Sequence, residues 1–569
     1  MKKPPLLSVF LMAFSFPAGL LAQDEPFARR TVVSGLNSPW EIAYGPNDSL
    51  WVTENVSYLV KRINISNGTS TTLLNLSSNK NFAPNDGGRW PQGGLMGMAL
   101  HPNLFSTNAA TRAAKPWVYL AYVYSRPTGQ NCSTDANASG PCNFATRIVR
   151  YTYSGNSLSS PVTILENIPG SNDHNSGRLT IGPDLKLYYT IGDLGAGQFN
   201  NSSRTNNAQA LDVLEGKIIR LNSEIDNDGG ADDWVPNDNP FYNSSSITAR
   251  DYVYSMGHRN AQGIVWGNVW GNLRLYSSEH GDKSDDEINI ITSGGNYGWN
   301  EVSGYCDNNY NGLTLGGNSS VDEDGHCSAT ASNAPPAKTL FTRPKATITA
   351  LTADYLSWPT VAPSSIDIYP HTKIPNWHNS ILVTCLKAGR VYRMRLNANG
   401  SGFVNLAGGV DTASYFRGQG RYRDLAVHPD GIRFYLACDA SGQTSGPTGG
   451  FNNGGSAPPN AGSILEFSYL GAVLSVRDPV TMLQEEAEKN ISVSPNPAHN
   501  MFRVSIGLSM ARPYALRLYN ASGVLVKEMK ARTEETIVNI AALPAGMYYL
   551  QVLNAKDQLL KTEKILKQE

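Results

Sequence analysis

A histidine between two carboxylates marks the stretch on which this chain's chemistry turns. Residues 173–178 read Asp173-His174-Asn175-Ser176-Gly177-Arg178. A strand-like run follows over 178–181, then a Gly182-Pro183-Asp184 turn, a second run over 186–191, and Gly192-Asp193. A hairpin brings its outer ends together, so Asp173, His174 and Asp193 are expected at one edge of a sheet. An imidazole beside carboxylates is the arrangement of a general base. Lys387, Arg421 and Arg423 form a cationic set which, with Arg259, could hold a small polyanion. Tyr355, Trp358 and Trp299 offer flat apolar faces for a planar cofactor or a sugar ring. Asp285-Asp286-Glu287 with Asp307 offers the hard oxygen ligands that Ca²⁺ takes. Each has a plainer use as well: a surface loop, a solvated charge, or packing.

These residues need a scaffold, and the chain repeats one. An apolar strand, a turn built on Pro, Asn, Asp or Gly, and a second strand recur near 40–54, 97–122, 178–193, 262–279, 381–396 and 424–439. Imperfect hairpin repeats several tens of residues apart are the signature of a β-propeller, and six copies predict six blades. A β-sandwich with long loops explains the repeats less well. The second strands end in Glu54, Asp193, Glu279 and Asp439. If the units are equivalent, those ends surround one mouth of a central channel. Insertions over 223–246 and 308–337 read as surface loops. Asp226-Asn227-Asp228-Gly229-Gly230 suggests a calcium loop but lacks the acidic twelfth position, where Asn237 stands. Residues 463–469 read as a strand placed to close the ring.

The whole is therefore read as all-β: a signal peptide (1–22), a six-bladed propeller (23–470), a linker (471–490) and a small C-terminal β-sandwich (491–569). The last module has strands over 501–506, 515–519, 524–530, 537–540 and 547–554. The signal rests on Lys2-Lys3, an apolar segment over 6–21 and a cleavage point at Ala22-Gln23, which predicts export. The net charge of −1 gives no reason to expect nucleic acid or an anionic membrane as partner. Export permits disulfides. Cys132 with Cys142 and Cys306 with Cys327 bracket polar loops, whereas Cys385 and Cys438 sit in apolar runs and are either paired or buried.

Eight motifs stand in register along the proposed blades. They are Gln92-Gly93-Gly94-Leu95-Met96-Gly97, the 173–193 hairpin, Gly257-His258-Arg259-Asn260-Ala261-Gln262-Gly263, and Glu279-His280-Gly281-Asp282 running on to Asn289. Next come Gly294-Gly295-Asn296-Tyr297-Gly298-Trp299, Trp358-Pro359-Thr360, Leu386-Lys387-Ala388-Gly389 and Arg421-Tyr422-Arg423-Asp424. In this order they resemble the glucose/sorbosone dehydrogenase family of soluble PQQ-dependent enzymes. The resemblance implies that Asn260, Lys387, Arg421 and Arg423 bind PQQ, a planar quinone with three carboxylates. It implies Ca²⁺ between the cofactor and the backbone carbonyls of Gly281 and Asp282. His174 would take the anomeric proton of an aldose while C1 gives a hydride to the quinone. Asp193 would orient His174, and Arg259 would stabilise charge on the quinone oxygen. Gln92, Asp173, Tyr355 and Trp358 would contact the sugar. The product would be an aldonolactone, and the electrons would pass to an external acceptor. Glu287, Tyr297, Ser303, Tyr305 and Asp307 resemble a second calcium region that supports a homodimer.

Two departures stand out. His280-Gly281-Asp282 replaces the family's Gln followed by Gly-Pro, and the cysteine pair ahead of the Trp-Pro-Thr motif is absent. Two other readings remain beside the dehydrogenase: a propeller that binds carbohydrate or protein at the cell surface, and a metal-dependent lactonase. At the other end, Ser494-Pro495-Asn496-Pro497, Asn520-Ala521-Ser522-Gly523, Leu543-Pro544-Ala545-Gly546-Met547-Tyr548-Tyr549 and the basic Lys561, Lys564 and Lys567 resemble the C-terminal sorting domain of type IX secretion. That implies outer-membrane export and release or surface anchoring.

Overall fold

The computed structural model describes residues 27–80, 93–125, 144–226, 233–243, 245–329, 334–406, 409–445, 457–471, 490–507, 513–555, 557 and 559–569. The chain divides into two compact units, residues 1–469 and 470–569.

The first unit holds six antiparallel sheets, five of four strands and one of five. The first strands touch in a closed cycle: Pro39–Gly45, Leu95–Leu100, Leu179–Ile181, Ala261–Val269, Pro363–Tyr369, Tyr422–Val427, and back to Pro39–Gly45. This is a propeller of six blades. Each blade carries apolar residues on both faces, because each is covered by a neighbour on either side. The cores accordingly lie between blades. Trp51, Val60, Leu95 and Tyr122 fill the first gap, and Tyr119, Leu179, Tyr189 and Ile219 the second. Tyr188, Ile218, Ile264 and Leu275 fill the third, and Tyr276, Ile366, Val383 and Tyr392 the fourth. Tyr369, Trp377, Tyr422 and Phe434 fill the fifth, and Val52, Ile63, Tyr435 and Ile464 the last. At roughly 1.5–3 kcal/mol for each fully buried large apolar side chain, these gaps hold the ring together.

Two expectations need correction, and one gains a partner. Residues 463–469 form the expected strand, and the ring closes through it. Ile464–Tyr469 is the third strand of the sixth blade, and Phe27–Val33 pairs with it antiparallel as the outermost strand. Phe27–Val33 carries two arginines and is largely exposed, so it has little of the apolar alternation that marks a strand in sequence. In the fifth blade, 381–396 supplies the second and third strands, not the first and second. Pro363–Tyr369 is the first, opening on the residue where a strand tolerates proline. The 308–337 insertion is not all loop. It holds the helix Glu323–Ala329 and is tied by the Cys306–Cys327 disulfide.

Cys385 and Cys438 are unpaired and buried. Cys132, Cys142, the signal segment, almost all of the 471–490 linker and all but Asp226 of the 226–230 acidic loop lie outside the described residues. Asp226 accepts a hydrogen bond from Asn222 Nδ2 at 2.9 Å. No described helix is long and apolar enough to cross a membrane.

The second unit is a sandwich of two sheets around one core that includes Phe502, Val504, Leu516, Leu550 and Ile565. One sheet has three strands and the other four. The strands Ile491–Ser494 and Leu559–Lys567 escaped the sequence reading.

Candidate active site

In each blade the residues before the first strand and after the second strand meet at the same end of a hairpin. Such segments of the third to sixth blades line a cavity of about 460 Å³. Its wall includes Asp173, His174, Arg259, Gly281, Asp282, Tyr355, Trp358, Lys387, Arg421 and Arg423. Parts of the chain more than two hundred residues apart thus converge. Arg178 ties the blades across the axis. Its guanidinium pairs with Glu41 at 2.7 Å and Asp424 at 3.0 Å, and donates to the carbonyls of Gln262 and Ser364, both at 2.9 Å.

His174 is buried and held in a left-handed backbone conformation (φ 48°). A non-glycine residue there is strained, so its surroundings must fix it. They do so closely: a Cβ on Gly192 would lie 2.0 Å from the His174 carbonyl oxygen. His174 Nδ1 lies 2.7 Å from Asp193 Oδ1. A carboxylate can only accept, so Nδ1 carries the hydrogen, and in the neutral ring Nε2 is the nitrogen with the lone pair. Asp193 is fully buried and is itself fixed. It accepts from the Gly195 N–H at 2.9 Å and from the Trp299 indole N–H at 2.8 Å. Trp299 was expected as a platform for a flat ligand, but it is a clamp on the carboxylate behind the base. Asp173 Oδ1 lies 3.8 Å from His174 Nε2.

The cations occupy another part of the wall. Arg423 donates to Asp439 Oδ2 at 2.7 Å and to Gln262 Oε1 at 2.9 Å. Arg421 donates to the Gln443 carbonyl at 3.1 Å and lies 3.6 Å from Asp439. Lys387 Nζ donates to the Trp358 carbonyl at 2.6 Å and to Thr360 Oγ1 at 2.9 Å. Burial lowers its pKa to about 8, with Asp286 opposing. Arg259 donates to Gln198 Oε1 at 2.8 Å and sits over the Trp299 ring.

Several polar atoms on or beside this wall, most of them donors, find nothing to bond. Nε of Arg259, Arg421 and Arg423, Nδ2 of Asn260 and Nε2 of His280 are buried without a hydrogen-bond partner among the described residues. Unmade bonds of buried donors cost about 1–3 kcal/mol each, so a set of them in one place signals a ligand rich in acceptors. The imidazole of His280 is pushed well below its ordinary range by burial and then by Arg259. Burial raises the Asp282 carboxyl, with Arg259 opposing. Asp282 accepts from Gln198 Nε2 at 2.6 Å.

Some expected residues lie elsewhere. Gln92 is outside the described residues. Asn260 sits just behind the wall, its Oδ1 accepting from the Ser176 N–H and hydroxyl, both at 3.2 Å. The acidic run does not act as one group, because successive residues of a strand face opposite ways. Asp286 turns to the cavity, where the N–H groups of Gly281, Val361 and Ala362 take its carboxylate. Glu287 turns away and accepts from the Gly304 N–H at 2.7 Å and Asn289 Nδ2 at 2.9 Å. Burial and then neighbouring Glu279 push the Glu287 carboxyl up to about 8. Ser303 is buried near it, and the Asp307 N–H is taken by Glu323 at 2.9 Å. Tyr305 is partly exposed. The Tyr297 hydroxyl donates to the Ile290 carbonyl at 2.5 Å. No group of three or more His, Cys, Asp or Glu among the described residues is arranged to hold a metal.

Four wall residues were missed in sequence: Gly442 and Gln443 after the second strand of the sixth blade, and Gln198 and Phe199. Gln198 and Phe199 stand on the turn after Asp193, and Phe199 is near-parallel to Trp358 (16°, centroids 6.3 Å apart). The Gly195-Ala196-Gly197 run ahead of them was the available signal of a specialised turn.

Comparison with known proteins points the same way. The sequence model of the family described as glucose / sorbosone dehydrogenase matches residues 36–445. That of a secretion system C-terminal sorting domain matches residues 492–568. A quinoprotein glucose dehydrogenase B of Acinetobacter calcoaceticus is 34% identical over 487 residues, 79% of this chain and 92% of that protein. An aldose sugar dehydrogenase of Escherichia coli K12 is 30% identical over 284 residues, 49% of this chain and 62% of that protein. The crystal structure of the soluble aldose sugar dehydrogenase of Escherichia coli, in its apo form, shares the fold. Its TM-score is 0.53 at 23% identity, over 78% of this chain and 100% of that one.

Proposed function

Since the chain belongs to the glucose/sorbosone dehydrogenase family, we propose that it oxidises the anomeric carbon of an aldose to the lactone, with PQQ as hydride acceptor and His174 as general base. One observation carries this reading: a base with a free Nε2 shares a cavity with cations and buried donors that lack acceptors. A planar tricarboxylate supplies those acceptors, so the residues present fit the group.

In this reading Lys387, Arg421 and Arg423 hold the carboxylates, and Asn260 Nδ2 and Arg259 donate to the cofactor's oxygens. When bound, PQQ supplies a two-electron acceptor that passes its electrons to an external partner. His174 Nε2 receives the proton of the anomeric hydroxyl. Asp193 keeps the ring in the tautomer that can do so and stabilises the imidazolium that forms. Arg259 places positive charge where negative charge develops. Asp173, Tyr355, Trp358 and Gln92 contact the sugar. The carbonyls of Gly281 and Asp282 would hold Ca²⁺, beside a buried carboxylate that a cation would relieve. Glu287, Tyr297, Ser303, Tyr305 and Asp307 would hold a second Ca²⁺ that supports a homodimer. The 1–22 segment directs export, and the C-terminal domain delivers the protein through the type IX machinery.

The test is dye-linked oxidation of an aldose panel by metal-stripped full-length protein, given PQQ and Ca²⁺ separately and together. Activity with both and lactone as product is expected; no oxidation with both, across common aldoses, would overturn the reading.

Lys387 adds a pH dependence with a definite sign. The ammonium is half lost near pH 8 in the protein without cofactor, and the anion prefers the charged form. PQQ affinity should be flat below about pH 7 and fall as pH rises through 8, by up to about tenfold per unit. Titration from pH 6.5 to 9.5 checks this, and Lys387→Gln should abolish the slope. An equally steep slope in the variant would assign it to another group.

A further inference from the structure

The acids that end the second strands do one job in several blades: each fixes residues at, or just before, the start of the first strand of its own blade. Asp193 holds the His174 ring at 2.7 Å, and Asp439 holds Arg423 at 2.7 Å. In the first blade Glu54 accepts from the Asn37 N–H at 3.2 Å. The hairpin makes this possible, because the end of the second strand lies opposite the start of the first; Ala261 and Glu279, for example, are cross-strand partners.

Glu279 is the fourth member, and no catalytic task has fallen to it. Its Oε1 accepts the backbone N–H groups of both Arg259 and Asn260, the latter at 3.2 Å. Its Oε2 lies 3.0 Å from His258 Nδ1 and 3.4 Å from Asn289 Nδ2. His258 Nε2 in turn lies 2.9 Å from Ser255 Oγ. In an open cleft, serine, histidine and carboxylate so arranged would be a nucleophile relay. Here all three are buried and none lines the cavity, so no substrate reaches the hydroxyl. What the chain of bonds delivers is the backbone position of Arg259 and Asn260.

We propose that Glu279, backed by His258 and Ser255, is a positioning residue for the cofactor. It holds the Arg259–Asn260 backbone so that the Arg259 guanidinium and Asn260 Nδ2 face the ligand together. Both side chains carry buried donors without partners, so a small shift of the shared backbone loses both contacts at once. The inference rests on the PQQ reading of the site.

The experiment uses full-length Glu279→Gln and Glu279→Asp, the second keeping the charge but falling one methylene short. PQQ titration of the Ca²⁺-supplemented protein should show about a ten- to hundredfold loss of affinity in both variants, as for other residues that orient ligand-holding groups. Adding Glu279→Asp to Arg259→Met should cost less than it does alone, because the part of its effect that passes through Arg259 is already lost and only the part through Asn260 remains. Hydrogen exchange should quicken at the amides of Arg259 and Asn260 in both variants without cofactor. That measurement needs no PQQ, so it tests the inference even if the wild type fails to bind PQQ, a failure that counts against the functional reading. Unchanged amide exchange, or variants that bind PQQ as tightly as a binding wild type, would overturn the inference. A general loss of protection across the fourth blade, with additive effects in the double variant, would make Glu279 merely structural and would equally overturn it.

Discussion

His174→Ala should lose about three to four orders of magnitude in kcat while binding PQQ with nearly unchanged affinity. The split follows from the geometry. His174 stands on the loop into the third blade, whereas the cations assigned to the cofactor come from the fourth, fifth and sixth. Removing the imidazole removes the acceptor for the anomeric proton but no group assigned to the carboxylates. Asp193→Asn should also be severe. An amide can donate to Nδ1, which favours the tautomer with its hydrogen on Nε2 and leaves no lone pair facing the cavity. The loss should be smaller than in His174→Ala, since the imidazole remains and the Trp299 indole N–H can still donate to the remaining oxygen at 193, although the Gly195 N–H then faces the amide nitrogen. Steady-state rates with a dye acceptor, set beside PQQ titration, separate the two effects. A His174→Ala protein that turns over at a tenth of the wild-type rate would remove His174 from the role.

The second large effect is on binding. Arg423→Met should weaken PQQ by about 3 kcal/mol, a factor of about a hundred. The guanidinium is three things at once: a cation at the cavity wall, the partner of Asp439 at 2.7 Å, and the holder of an Nε–H with no acceptor. Truncation leaves Asp439 buried just behind the wall with only the Ala440 N–H and Arg421, at 3.6 Å, to offset it, so an anion nearby is then repelled as well as unheld. Arg423→Lys should recover little, because one ammonium cannot serve Asp439, Gln262 and the ligand with the planar spread of a guanidinium. A Kd for PQQ within a factor of three of wild type in Arg423→Met would place the carboxylates elsewhere. At saturating PQQ the kcat of this variant should recover, the reverse of the His174→Ala pattern.

Much of this was readable before any coordinates, for a physical reason. A hairpin has a period and a turn chemistry, and six of them in a row leave few folds open. The same logic placed Asp193, Glu279 and Asp439 at strand ends and so on a common rim. The failures also have causes. Phe27–Val33 is an exposed edge strand whose pairing partner lies more than four hundred residues away, and nothing local marks it. Trp299 reads as a flat apolar surface, but its useful feature is one N–H aimed at Asp193, a direction that composition does not encode. The acidic run 285–287 was read as one cluster, yet strand alternation sends Asp286 and Glu287 to opposite faces. Gln198 and Phe199 reach the cavity on an irregular turn, where no periodicity predicts where a side chain points.

The most direct measurement is a single anaerobic turnover of the PQQ- and Ca²⁺-loaded protein with an aldose deuterated at C1. If an aldose gives its C1 hydrogen as hydride to PQQ while His174 takes the hydroxyl proton, the absorbance of the oxidised cofactor is lost in one phase. That phase is slowed several-fold by deuterium in the wild type and nearly absent in His174→Ala. Loss of the chromophore at equal rates with hydrogen and deuterium, or at the wild-type rate without His174, would contradict the account.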